Sequence, residues 1–316
     1  MGKSTPAKIQ IPTHNPRWDR WSYRIGCPVW GCRQWADQVY PNGTQTEDYL
    51  KWYSHLFPTV EGNSTFYAVP PKSTFERWRD SSSETFQFCF KFPRKISHEL
   101  RLQRCDTELA EWLDRLTVLH DASKLGPTFL QLAPSFSFAY FTQLESFLRR
   151  LPKDWPWAVE VRHKDWFDNG DMESHLNELL QELNIDKVLF DSRPLNAMSA
   201  SDVTEETSQT RKPKSPFRTT VTGRRPMLRL IGRNDAAEVA TYWEWWSEQI
   251  ANWIREGYQP WIFTHAPDDA YAPGLARLLH DFIRLQLPEL PLLPEYRGLV
   301  QKTQDPESDL KQMRLF

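Results

Sequence analysis

Along this chain, eight short runs rich in β-branched and aromatic residues alternate with seven longer stretches of helical spacing. The runs cover 23–27, 59–66, 86–92, 127–133, 157–163, 187–192, 227–232 and 260–265. Helix-period stretches cover 46–57, 73–80, 106–123, 140–151, 172–184, 236–258 and 273–285. No other feature constrains the fold as tightly. A helix between two strands is the crossover that lets them pair in parallel. Eight such units match the size and rhythm of a (β/α)8 barrel, the TIM barrel of the α/β class. A doubly wound open sheet is the alternative, but no G-x-G-x-x-G follows the first strand to support its dinucleotide-binding form.

The helical stretches carry their own signals. Thr46 reads as an N-cap, with Glu47 and Asp48 in the first turn. Trp243, Trp246, Ile250 and Trp253 form one stripe, and Gly257 is placed to end that helix. The 15 tryptophans fall mostly at such spacings, which predicts packing of helices on the barrel.

One interval breaks the rhythm. Residues 193–225 are rich in Ser, Thr, Pro, Lys and Arg, and read as a long basic loop replacing the sixth helix. Arg211, Lys212, Lys214, Arg218, Arg224 and Arg225 outweigh Glu205 and Glu206 there. The expectation is a mobile flap over the barrel mouth, with nucleic acid as one partner for it. The chain then divides into an N-terminal extension (1–22), the barrel (23–290) and a polar tail (291–316).

Composition excludes several classes. A net charge of −2 gives no global pull toward nucleic acid or anionic membrane. The four cysteines, Cys27, Cys32, Cys89 and Cys105, form no Cys-x-x-Cys pair and read as free thiols of a reducing compartment. The first 18 residues are basic and polar without an apolar centre, and no apolar run is long enough to span a membrane. A cytoplasmic protein without a membrane partner is expected.

Side chains alternate between the faces of a strand. In "AVEVRHKDWF" (158–167), Val159 and Val161 then face the helices, while Glu160 and Arg162 face the barrel interior. The other strands repeat the pattern with Glu61 and Asn63, Lys91, Gln131, Asp191, Arg229 and His265. Strand ends converge on one mouth, where barrel active sites sit. Glu160 or Glu61 is the candidate general base, and His265 or Asp191 the partner acid. Asn63, Lys91, Gln131, Arg162 and Arg229 are candidates to hold substrate, the cations suiting a phosphate or carboxylate. A salt-bridged layer that only fills the barrel would use the same residues. Glu61, Glu160, Asp191 and His265 are all donors a metal accepts, but no fixed local spacing joins them and the cations oppose a metal. No metal is expected, and the cofactor is left unknown. "LIGRND" (230–235) sets Gly232 and Arg233 before a helix start, a place where barrels hold phosphate, with Asp235 opposing one.

The segments "IGCPVWGCRQWADQVYP", "YLKWYSHLFPTVEGNSTFYAVP", "FCFKFPRKISHE", "GPTFLQLAPSF", "AVEVRHKDWF", "LFDSR", "LRLIG" and "IFTHAPDDAYAPGLARLL" together resemble the YecE-like family, domain of unknown function 72. They run in family order over most of 25–282. The resemblance implies a TIM barrel and no particular reaction. Two departures stand out. Strand eight ends "FTHAP" where the family shows an Asn-Asn-His-like end, and 193–225 is longer than the family pattern.

Two functions compete: an enzyme acting on a small anionic substrate, and a nucleic-acid-associated protein. A catalytically dead barrel that binds a partner is a third. The last five residues, "QMRLF", bear on the second. They resemble the peptide with which bacterial replication and repair proteins grip the DNA sliding clamp. Gln312 would bond at the groove edge, Met313 would fill a shallow site, and Leu315 and Phe316 would enter an apolar pocket. Burying two such side chains supplies roughly 3–6 kcal/mol before ordering costs.

Overall fold

The computed structural model describes residues 15–296. Its eight strands are β1 (Arg24–Cys27), β2 (Thr59–Gly62), β3 (Gln87–Phe90), β4 (Thr128–Gln131), β5 (Trp157–Glu160), β6 (Asp186–Asp191), β7 (Met227–Ile231) and β8 (Trp261–His265). All neighbours pair in parallel, in the order β3-β2-β1-β8-β7-β6-β5-β4. The two ends of that order meet. Phe88 bridges to Leu125 and Lys91 to Phe129, and the Phe92 amide donates to the Phe129 carbonyl at 3.0 Å. The sheet is closed, so the barrel and not the open sheet is the fold.

Both faces of the strands are apolar, as a parallel sheet covered by helices requires. Cys89, Phe129, Ala158, Val188, Met227, Trp261 and Phe263 pack inside the barrel. Their strand neighbours Phe88, Phe90, Leu130, Val159, Leu189, Leu228 and Ile262 face outward and pack with Trp52, Trp112, Trp243 and Trp246 of the helices. The tryptophan stripes thus bind helix to barrel, each large side chain contributing roughly 1.5–3 kcal/mol of burial before entropy. The described part of the N-terminal extension joins this layer. Trp18 is buried, donates its indole N–H to the Ser54 carbonyl and packs edge-on against Trp21.

Three details differ from the expectation. The strands are shorter than their apolar runs: β2 stops at Gly62 and a short helix, Ser64–Tyr67, follows. Asn63, Lys91 and Arg162 therefore stand just beyond strand ends. Thr46 opens a tight turn, Thr46–Asp48, ahead of the helix Tyr49–Leu56 and makes no capping bond there. Gly257, by contrast, has the positive φ of 85° expected of a helix-ending glycine, just past the helix Ala240–Arg255.

The largest correction concerns 193–225. This segment is not one long loop, because it contains the helices Arg193–Asn196 and Val203–Arg211. Asp202 caps the second, accepting from the Glu205 amide at 2.9 Å. The Glu205 carboxylate is fully buried. It accepts from the Ser201 amide at 2.9 Å, the Asn234 amide at 3.0 Å and the Arg233 guanidinium at 2.5 Å. A buried carboxylate with this many donors anchors the segment to the loop after β7. Arg233 is thereby consumed in holding Glu205 and Glu238, which removes it from the phosphate role its position after Gly232 implied. Arg218 and Arg225 are likewise occupied, by Glu173 and Asp186.

Candidate functional site at the barrel mouth

The mouth is built from the inward positions at the strand ends. Arg229 on β7 crosses the barrel. Its Nε and one terminal nitrogen donate to the two Glu61 oxygens, both at 2.8 Å, and its other terminal nitrogen donates to Glu160 at 2.6 Å. Gln131 and Arg162 donate to the second Glu160 oxygen at 2.8 and 2.9 Å. Asn63 donates to Glu61 at 2.8 Å, and His265 Nε2 lies 3.3 Å from the same carboxylate. Phe129 and Phe190 flank the guanidinium at 5.1 and 5.7 Å.

This layer is electrostatically satisfied. Burial pushes the Glu61 carboxyl up, but the doubly bonded Arg229 outweighs it and holds it well below the usual carboxylate range. For Glu160, burial is likewise overcome by Arg229 and Arg162, leaving it at about 2. Both stay ionised near neutral pH, and so low a value makes a poor proton acceptor there. Burial lowers His265 to about 4, so its imidazole is neutral.

Asp191 does not belong to the ring. Phe190, paired with Arg229 across β6 and β7, takes the inward position, and the alternation turns Asp191 outward. Its carboxylate accepts from the Trp246 indole at 2.8 Å and pairs with Arg193 at 2.8 Å. It fixes the helix Ala240–Arg255 to the barrel.

Above the ion-paired layer lies a cavity of about 950 Å³. Asn63, Lys91, Gln131, Arg162, Arg229 and His265 line it, whereas Glu61 and Glu160 do not. The helix Val203–Arg211 covers it, contributing Val203, Thr204, Thr207, Ser208 and Arg211, followed by Lys212 and Pro213. Six lining residues are cations, Lys91, Arg94, Arg162, Arg211, Lys212 and Arg229, against the single carboxylate of Asp269. The side chains of Lys91, Arg211 and Lys212 make no hydrogen bond or salt bridge among the described residues. Lys91 Nζ rests 3.5 Å above the Phe66 ring. Burial, and then Arg229, bring it down to about 7. Burial lowers Lys212 as well, with Arg229 adding to the effect, and it raises Asp269. His98 stands edge-on to Phe66 at 5.0 Å and is lowered by burial to about 4.

Phe66, Arg94 and Asp269 were not singled out from the sequence. All three sit in the short helical connections just after β2, β3 and β8, and position after a strand end was the available signal. Among the described residues, no three or more His, Cys, Asp or Glu side chains gather as metal ligands do. Nor is any helix among them long and apolar enough to cross a membrane.

The barrel has relatives. UPF0759 protein YecE of Escherichia coli strain K12 is 35% identical over 278 residues, covering 87% of this chain and 98% of that one. UPF0759 protein YunF of Bacillus subtilis strain 168 is 31% identical over 153 residues, which is 45% of this chain and 51% of that one. The crystal structure of a DUF72 family protein from Thermotoga maritima superimposes with a TM-score of 0.61 at 19% identity, covering 84% of this chain and 99% of that one. One from Enterococcus faecalis gives 0.61 at 17% identity, covering 83% and 95%. At such identities the likeness is one of fold. The family model described as "Protein of unknown function DUF72" matches residues 24–297, from the first strand past the last helix, and the chain belongs to that family.

Proposed function

We propose that the barrel is an enzyme acting on a small phosphate- or carboxylate-bearing substrate held in the mouth cavity. The observation that carries this is the charge inventory. Below the cavity, Arg229 and Arg162 together offset the two glutamates. With those two set aside, the wall still presents Lys91, Arg94, Arg211 and Lys212 against Asp269 alone, and Lys91, Arg211 and Lys212 make no salt bridge among the described residues. Crowded, partly buried cations repel each other, and an anion relieves that repulsion. Arg162 spends only its Nε on Glu160, leaving its two terminal nitrogens for a ligand oxygen pair. In this reading Glu61 and Glu160 hold Arg229 in place, and the neutral fraction of Lys91 takes the role of base near pH 7.

Calorimetric titration with inorganic phosphate, pyrophosphate and citrate tests the proposal. Binding with a Kd of roughly 1 mM or tighter is expected, weakening with salt. Proton uptake should accompany it near pH 8, because an anion favours the charged form of Lys91. Absence of binding by all three probes at low salt would overturn the reading.

We propose a second, separable association for the sequence "QMRLF" at 312–316, which lies outside the described residues. Its support is the side-chain pattern of Gln312, Met313, Leu315 and Phe316, which matches what a bacterial sliding clamp's groove accepts. Titration against purified clamp, with and without 312–316, decides it; equal binding by both would end it. Nucleic-acid binding through 193–225 is less favoured, since Arg218 and Arg225 are already committed to Glu173 and Asp186.

A further inference from the structure

Lys91 stands apart from the other cations of the site. It extends from the barrel wall itself, one residue past β3, whereas Lys212 and Arg211 arrive on the covering segment. It has no carboxylate or carbonyl within hydrogen-bonding distance among the described residues, and an aromatic face supports its nitrogen at 3.5 Å. The guanidinium groups of Arg162 and Arg229 line the same cavity. An amine that only paired with a structural carboxylate would be bonded to one, as Arg229 is. An amine that only bound anions would serve best fully charged, and burial beside Arg229 works against that charge.

We propose that Lys91 is a nucleophile that forms an imine with a substrate carrying both a carbonyl group and a phosphate or carboxylate. The inference rests on the anion-binding reading above and names the substrate class. The Nζ lone pair attacks the carbonyl carbon, forming the C–N bond as the C–O π bond opens, and one of the two amine protons passes to the carbonyl oxygen, which becomes a hydroxyl. The second amine proton passes to that hydroxyl, which leaves as water as the C=N bond forms, so that amine plus carbonyl becomes imine plus water without any oxidant or reductant. Arg162 and Lys212 hold the anionic end. His98 is neutral and edge-on to the ring beneath Lys91, with its Nδ1 2.8 Å from Ser97 Oγ.

Borohydride trapping decides the matter. The intact protein is incubated with pyruvate, dihydroxyacetone phosphate or glyceraldehyde 3-phosphate, reduced, and examined by peptide mass spectrometry. The expected result is one modified site, Lys91, heavier by the carbonyl compound less one oxygen atom. Which probe reacts tells carboxylate from phosphate. Excess citrate or inorganic phosphate should suppress the label. Lys91→Met and Lys91→Arg should both lose it; should either fail to fold, the other still gives the answer. Labelling at Lys212, labelling scattered over surface lysines, or no labelling above the level of an unrelated protein overturns the imine. Phosphate binding measured on the same preparation separates the two failures. Retained binding without a label sinks only the imine, and loss of both sinks the anion site as well.

Discussion

The mouth of the barrel holds two layers of charge that obey opposite rules. In the lower one, Arg229, Glu61 and Glu160 complete one another, with Asn63, Gln131 and Arg162 filling the remaining bonds. In the upper one, Lys91, Arg211 and Lys212 face a cavity with little to neutralise them. A ring of polar strand ends is therefore not one object. The satisfied layer is structural scaffolding for a charged wall, and apart from the two terminal nitrogens of Arg162 only the unsatisfied layer has charged donors left to offer a ligand.

Removing the crossing arginine is the harshest way to break this division. Arg229→Met leaves two buried carboxylates without their cation and should cost about 3–5 kcal/mol, read from urea unfolding. Arg229→Lys should rescue little, because one ammonium cannot reproduce a fork that engages both glutamates. A loss below about 1 kcal/mol for Arg229→Met would mean that the lower layer is not what holds the mouth together.

Acid probes the same layer without mutation. The Glu160 carboxyl sits near 2 when folded against an ordinary 4.5, so between those values the unfolded chain binds more protons. The stability it contributes is present in full above pH 4.5 and is lost as pH falls toward 2. Glu61, shifted in the same direction, adds to the fall. Unfolding midpoints followed down that range should drop steeply, and less steeply in Glu160→Gln.

Asp191 offers a gentler contrast. Asp191→Ala forfeits charged hydrogen bonds to Trp246 and Arg193 and should cost about 1.5–3 kcal/mol of stability, while phosphate affinity stays unchanged. A large affinity loss with the fold intact would return Asp191 to the site. The smallest effect belongs to the upper layer. Lys212→Met should weaken phosphate binding about tenfold, or ~1.4 kcal/mol, with stability equal to or slightly above that of the unchanged protein, since it removes a desolvated cation.

These contrasts also mark how far the sequence alone could lead. The barrel was legible because each strand run is apolar and each helix has a stripe, and both are local patterns. Glu61, Lys91, Gln131, Glu160, Arg229 and His265 were placed on the right face by counting alternate positions. Asp191 was misplaced because β6 ends "FD", and the count had to start from Val188 and Phe190. The helix Val203–Arg211 was hidden by its Ser and Thr content, although Asp202 with Glu205 three residues later is a helix-start signature. What really fixes that helix is Arg233, 28 positions away from Glu205, and no local pattern announces such a partner. The division into two layers was equally out of reach, because it depends on which carboxylate each guanidinium finds.

The Arg229 crossing also bears on the order in which the chain can assemble. Arg229 is separated from Glu160 by 69 positions and from Glu61 by 168. Until β7 has joined the sheet, a partial barrel that tries to close must seal Glu61 in its interior with no arginine to meet it, and Glu160 with Arg162 alone. Half-formed barrels are penalised in proportion to how tightly they close, and the penalty is lifted only when the seventh strand arrives. A fragment ending after β6 should then stay open and unable to shield its own interior. The guanidinium that shapes the site thus also makes closure of the barrel wait for most of the chain.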